Sequence, residues 1–192
     1  MKGTVLYGPR DVRFDEIETP KITKPTDAII RISATCVCGS DLWPYRGLQP
    51  VNEPTPMGHE YCGIVEEVGS AVRSVKPGQF VVGSFATSDN TCPHCKAGYQ
   101  SSCVNREWML RAQAPVLRVS LADGTLVPTP GIPSDDLIPS LLATSDVLGT
   151  AGLLPSPPRS NRARRSPSSV MAQSASLECS RRSRWARSES LS

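Results

Sequence analysis

No stretch of this 192-residue chain approaches the roughly 18 consecutive apolar residues that a transmembrane helix needs. The first residues, Met1-Lys2-Gly3-Thr4-Val5-Leu6-Tyr7-Gly8, lack the apolar core of a signal peptide. Aromatic residues are few, at 5%. Charge of one sign is lacking too: 21 Lys+Arg stand against 18 Asp+Glu, a net of +3. That near-balance excludes a strongly basic nucleic-acid binder, or an acidic tail protein, as a description of the whole chain. The expectation from these absences is a soluble, cytoplasmic protein of one domain, or one domain with an appendage.

The average conceals a division. Residues 1–150 hold 13 Lys+Arg and 16 Asp+Glu, whereas residues 151–192 hold eight Arg, two Glu, no Lys and twelve Ser. The first part reads as mainly β. Short apolar pieces lie at Thr4–Tyr7 and Val12–Phe14. Clearer strands are expected over Asp27–Ala34, Glu60–Gly69 and Gln79–Phe85. Val116–Val119 and Thr125–Pro128 flank Ala122-Asp123-Gly124, which predicts a hairpin. Short strands at this spacing suggest a barrel or sandwich. From Pro133 to Leu148 the spacing turns helical, with Ser134-Asp135-Asp136 as N-cap and acidic first turn. The Ser-, Arg- and Pro-rich segment 151–192 has no usable periodicity and is expected to be disordered.

Seven cysteines in a chain of this kind point to metal or catalysis before disulfides. Asp89-x2-Cys92-x2-Cys95-x7-Cys103 is the denser constellation. Two thiolates separated by two residues can clamp a tetrahedral zinc, because the turn aims both sulfurs inward. Cys103 supplies a third thiolate, and Asp89 is in register for the fourth place, with His94 as rival. The second constellation is Cys38-Gly39-Ser40-Asp41 followed by Gly58-His59-Glu60, half of a catalytic zinc site.

Gly58-His59-Glu60-x2-Gly63-x5-Gly69-x2-Val72-x5-Gly78, with the cysteine lobe downstream, resembles the signature of zinc-dependent medium-chain alcohol dehydrogenases. The resemblance runs over residues 1 to about 150 and implies a GroES-like β-barrel catalytic domain. It implies that Cys38 and His59 are ligands of a catalytic zinc. Asp146 resembles the carboxylate ligand of the formaldehyde-dehydrogenase-like branch. Glu60 is implied as an outer or exchangeable carboxylate, Asp41 as the group that orients His59, and Ser40 as the acceptor of the alcohol proton. Asp89, Cys92, Cys95 and Cys103 correspond to the structural zinc site. The implied chemistry is hydride transfer between an alcohol or aldehyde and NAD(P).

There are departures from the pattern. Asp89 replaces the first structural cysteine, Trp43 falls where the relay histidine often stands, and Gln79 stands where Asp is usual. Trp43, Tyr45 and Trp108 are candidate pocket walls, and Cys36 and Cys62 are expected to be buried and inert.

A Rossmann domain needs several βα units and a Gly-rich turn, for which residues 151–192 have no room. Read with its codons shifted by one phase, the segment from Arg165 to Ala175 is compatible with apolar-apolar-Gly-x-Gly-x-(Val/Ile)-Gly-apolar, the dinucleotide fingerprint. The expectation is therefore out-of-frame translation from about Ala151 onward. It also makes the chain an incomplete barrel that binds zinc but lacks dehydrogenase activity. In the full-length form, NAD(P), a small alcohol or aldehyde and an oligomeric state are expected, without a membrane. The alternative is a non-catalytic zinc-binding β module whose Arg/Ser-rich arm contacts nucleic-acid phosphates. That reading does not explain the in-register match, so a nucleic-acid partner is the less favoured.

Overall fold

A computed structural model describes residues 1–152. The expectations for 153–192, disorder and the shifted-frame fingerprint, lie outside the described residues.

Among the described residues eight strands, β1 Lys2–Gly8, β2 Asp11–Glu16, β3 Ala28–Thr35, β4 Thr55–Pro56, β5 Tyr61–Val68, β6 Phe80–Gly83, β7 Val116–Val119 and β8 Leu126–Pro128, form two sheets in which every pairing is antiparallel. One has the order β2-β1-β4 and the other β7-β3-β5-β6-β8. The chain is mainly β, as its alternating apolar pieces predict.

The apolar run Ala28-Ile29-Ile30 is buried because β3 lies inside its sheet, between β5 and β7. Ile30, Tyr61, Val65, Val81 and Val119 fill the main core. A second cluster on the same sheet joins Cys62, Phe80 and Val82 to Leu142 of α4, Ile138–Ala143. Burying Leu142 stabilises that docking by about 2 kcal/mol. This contact sets the position of the residues that follow, and Asp146 is one of them.

Two expectations are corrected. β7 and β8 do not form a hairpin; they are the opposite edges of the five-stranded sheet. Between them Ala122–Thr125 make one helical turn, α3. The Asp123 carboxylate accepts hydrogen bonds from the amides of Arg73 and Ser74 at 2.8 and 2.7 Å, and from Ser74 Oγ at 2.7 Å. A Cβ on Gly124 would stand 2.0 Å from the Ser88 carbonyl oxygen. Tertiary contact therefore claims the residues that would otherwise turn a hairpin. The helix expected over 133–148 is also divided. Ser134 begins a turn closed by Leu137 N–H to its carbonyl at 3.0 Å, and Leu137, not Ser134, is the N-cap of α4. The chain then breaks before α5, Val147–Gly152.

One buried ion pair ties β7 to the β3 entry. Asp27 is fully buried, and its Oδ2 accepts from Lys24 N at 2.8 Å, Thr23 N at 3.1 Å, Thr23 Oγ at 2.9 Å and Arg118 Nη1 at 2.9 Å. Burial alone pushes this carboxyl up. The Lys24 amide, the Arg118 guanidinium and the Thr23 donors outweigh burial and hold it below the usual carboxylate range. A carboxyl depressed in the folded state stabilises it above the unfolded value of about 3.9, and that contribution is lost as pH falls through the folded value. Thermal stability is therefore expected to decline below about pH 4, with a shallower decline in Asp27→Asn. Parallel pH profiles for the two proteins would show that Asp27 does not drive acid unfolding.

Candidate metal centres

Cys38 follows β3, where the Gly39–Asp41 turn bends the chain into α1, Leu42–Tyr45. Asp41 is buried. Its Oδ2 accepts the Cys38 N–H at 2.9 Å while its Oδ1 lies 3.5 Å from His59 Nδ1. One carboxylate thus fixes the Cys38 loop and faces the imidazole, favouring the Nδ1–H tautomer that leaves Nε2 free to bind.

His59 sits between Gly58 and β5. Gly58 has φ +93°, and a Cβ there would lie 2.7 Å from the Gln113 amide nitrogen. Only glycine meets both conditions, which accounts for the Gly before His. His59 Nε2 points toward Ser40 Oγ at 3.3 Å and Asp146 Oδ2 at 3.6 Å. Asp146 lies just before α5; Thr150 donates its N–H to the Asp146 carbonyl at 2.9 Å and its hydroxyl to Oδ1 at 2.8 Å. Asp146 Oδ2 also faces Cys38 Sγ at 3.9 Å. The neighbouring Glu60 is 1% exposed, and the half-buried Cys36 donates its thiol to Glu60 Oε2 at 2.8 Å.

Donor atoms of Cys38, His59, Glu60 and Asp146 all lie within 4.8 Å of one another. The Asp146 carboxylate, then Asp41 and Cys38, outweigh burial and raise His59 to about 12. So strong an anionic field calls for a cation. Sulfur, imidazole nitrogen and carboxylate oxygen are the donors zinc takes, so the residues fit that ion.

The second group has a small buried cluster of its own, Cys92, Cys95 and Cys103. Cys92 caps α2, Pro93–Lys96, and its Sγ accepts the Cys95 N–H at 3.5 Å. Cys92 Sγ lies 3.4 Å from Cys95 Sγ and 4.0 Å from Cys103 Sγ. Tetrahedral Zn–S bonds of about 2.3 Å place sulfurs about 3.8 Å apart, and the observed distances bracket that value. Burial and the adjoining sulfurs push the Cys95 thiol up, because neighbouring thiolates repel one another unless a cation joins them.

Asp89 is within reach of the lobe sulfurs, but it is already engaged. Oδ1 accepts the amides of Thr91 and Cys92 at 2.8 and 2.9 Å, and Oδ2 accepts Asn105 Nδ2 at 2.7 Å. It shapes the turn as well as lying within reach of the three sulfurs. His94 is exposed and outside the group. Gln79 does a local task, its Oε1 accepting the Lys76 N–H at 2.7 Å.

A cavity of about 440 Å³ opens beside Ser40 and His59, against Pro44, Leu110 and the 49–57 segment. None of the three aromatic wall candidates lines it. Trp43 is 60% exposed, Tyr45 lines a separate groove, and Trp108 stacks on Phe85 with centroids 5.7 Å apart. Phe85, which the sequence does not single out, presents its ring to His59 at 6.1 Å, edge to face. Cys62 is buried as expected, whereas Cys36 is half-buried and engaged with Glu60.

The profile of the alcohol dehydrogenase GroES-like domain matches residues 24–138, and the chain belongs to that family. Among individual proteins it is similar to zinc-type alcohol dehydrogenase B of Aspergillus flavus, 38% identical over 135 residues, covering 68% of this chain and 32% of that one. It is also similar to the medium chain reductase/dehydrogenase ucsI of Acremonium sp, 38% identical over 156 residues, covering 78% and 52%. Among solved structures, alcohol dehydrogenase TADH from Thermus sp. ATN1 superimposes with a TM-score of 0.73 at 31% identity, covering 79% of this chain and 46% of that one. The chain therefore spans from a third to about half of the length of these relatives.

Proposed function

We propose that residues 1–150 form the zinc-binding half of an alcohol dehydrogenase-like oxidoreductase. The observation that carries this reading is the convergence of Cys38, His59, Glu60 and Asp146 from three segments. In this reading Cys38, His59 and Asp146 hold a zinc ion, with Glu60 as an exchangeable neighbour. The carboxylate at 146 favours the formaldehyde-dehydrogenase-like branch. Asp89, Cys92, Cys95 and Cys103 hold a second, structural zinc.

Bound at the first site, zinc supplies Lewis acidity that lowers the pKa of an alcohol oxygen. Ser40 Oγ, 3.3 Å from His59 Nε2, is placed to take the alcohol proton. Asp41 orients the imidazole through Nδ1. With Trp43 rather than histidine after Asp41, the proton passes from Ser40 to water. Phe85, in an edge-to-face contact with the imidazole, helps to hold it in place. NAD(P) supplies the hydride acceptor in the full-length form. Among the described residues every strand pairing is antiparallel, so they contain no βαβ unit to hold it. The chain as sequenced binds zinc without turning over alcohol, and the text beyond about Ala151 is out of frame.

Cobalt(II) titration tests the metal reading, because thiolate–cobalt absorption reports each site. Two equivalents are expected per chain and one in Cys38→Ser. An unchanged stoichiometry in Cys38→Ser would remove the site. Alcohol-dependent NAD reduction by the purified 192-residue chain would overturn the inactivity.

A further inference from the structure

A thiol outside the proposed ligand set is aimed at one of its neighbours. β3 and β5 pair Thr35 with Tyr61 at their ends, so the next residues along the antiparallel ladder, Cys36 and Glu60, come opposite each other just beyond the sheet. Both backbones are tied there. Thr35 Oγ1 donates to the Glu60 carbonyl at 2.8 Å, and Gln113 Nε2 donates to the Cys36 carbonyl at 3.4 Å. The Cys36 side chain packs against the cluster that joins Cys62, Phe80 and Val82 to Leu142. Its Sγ donates to Glu60 Oε2 at 2.8 Å. The contact is thus fixed from both sides, between a fully buried carboxyl group and a thiol seated against the sheet.

That contact bears on the metal position. Donor atoms of Glu60, Cys38, His59 and Asp146 lie within 4.8 Å of one another, so Glu60 is close enough to complete a tetrahedron with the other three. A catalytic zinc instead keeps its fourth place open for water or substrate. Cys36 stands outside the group. Its hydrogen bond anchors the Glu60 carboxylate where it is, and the carboxylate must leave that donor to move onto an ion. A thiol is a weak donor, so the hold biases Glu60 without locking it.

Resting on the metal reading above, we propose that Cys36 is a positioning residue for Glu60: its thiol holds the carboxylate off an ion bound by Cys38, His59 and Asp146 and so keeps the fourth coordination place open. Glu60 enters that place only when the contact between Cys36 Sγ and Glu60 Oε2 opens.

The test uses the cobalt(II)-loaded 192-residue chain titrated with imidazole, a neutral ligand for an open coordination place. Binding is read from the cobalt d–d bands, with the Cys38→Ser spectrum subtracted. Cys36→Ala removes the donor. It is expected to weaken imidazole binding about fivefold, the worth of one net hydrogen bond, while cobalt itself binds more tightly, because the released Glu60 takes the fourth place. Cys36→Val keeps apolar volume against the sheet and lacks the donor. It is expected to follow Cys36→Ala, and it carries the test if the alanine variant does not fold. Cys36→Ser keeps a donor and is expected to stay within about twofold of the parent. In the Glu60→Gln background, Cys36→Ala is expected to change neither affinity. A role in packing alone gives the opposite sign, looser cobalt, and persists in the Glu60→Gln background; either result overturns the proposal. Imidazole affinity equal to the parent's in both Cys36→Ala and Cys36→Val overturns it as well. Absence of a Cys38-dependent cobalt spectrum in the parent chain overturns the metal reading, and this inference with it.

Discussion

Stripping metal from the Cys92–Cys95–Cys103 lobe is expected to lower the unfolding midpoint of the chain sharply. The lobe has little else to hold it. Its buried cluster consists of the three cysteines alone, separate from both sheet clusters. Its elements are the four-residue α2 and the three-residue turn Gln100–Ser102. Such pieces are far below the length at which a helix persists without tertiary support, about 12–15 residues. The three sulfurs also repel one another once ionised, so the same residues that pack the lobe around a cation oppose it without one. With free zinc a thousandfold above its dissociation constant, linkage contributes about 4 kcal/mol to the folded state. Chelation followed by thermal unfolding, with metal content measured on the same sample, checks this. Cys95→Ser is expected to mimic chelation and to lose one zinc equivalent. A metal-free protein with an unchanged midpoint would show that the lobe is held by its hydrogen bonds instead.

Gly58→Ala is expected to be nearly as damaging, through the backbone and not through the metal. An alanine at φ +93° is strained in any setting, at a cost of about 1–3 kcal/mol. Here the new Cβ also meets Gln113 Cγ at 2.6 Å and the Gln113 amide nitrogen at 2.7 Å. Those backbones are tied together: Ala112 N–H donates to the Gly58 carbonyl at 3.0 Å, and Gln113 N–H to the Met57 carbonyl at 3.0 Å. Relief requires moving the strand entry that aims His59. The expected result is a loss of about 3 kcal/mol or more in chemical denaturation, together with weaker metal binding at Cys38 and His59. A denaturation midpoint within error of the parent would show that the 57–58 segment shifts freely.

What could be read in the sequence follows the range of the forces involved. The run Ala28-Ile29-Ile30 and the segment from Tyr61 to Val68 declare themselves as strands because local pattern and burial agree. The lobe declares itself because three sulfurs within twelve residues have one common use. The Ala122-Asp123-Gly124 hairpin fails because Asp123 binds Arg73 and Ser74, about fifty residues away in sequence. β4 is invisible because two residues, one of them proline, carry no period. Asp146 is reached only through the resemblance, since nothing around it distinguishes it from Asp135 or Asp136. Phe85 and the 49–57 segment cannot be found by pattern at all: their part in the site exists only once the sheets bring separate loops together.

The spacing of the two donor sets also separates them in time. Asp89 and Cys103 are 14 residues apart, whereas Cys38 and Asp146 are separated by 108. Closing the longer loop costs a flexible chain about 1.8 kcal/mol more, and α4 must first dock on the sheet. The short set can capture an ion while most of the chain is still unfolded. The dispersed set exists only after the sheet, α4 and the turn before α5 are in place. On the proposed metal reading, an ion in the lobe would record an early event and one at Cys38, His59 and Asp146 a late one, and metal uptake followed during refolding is expected to give the order in which the molecule is built.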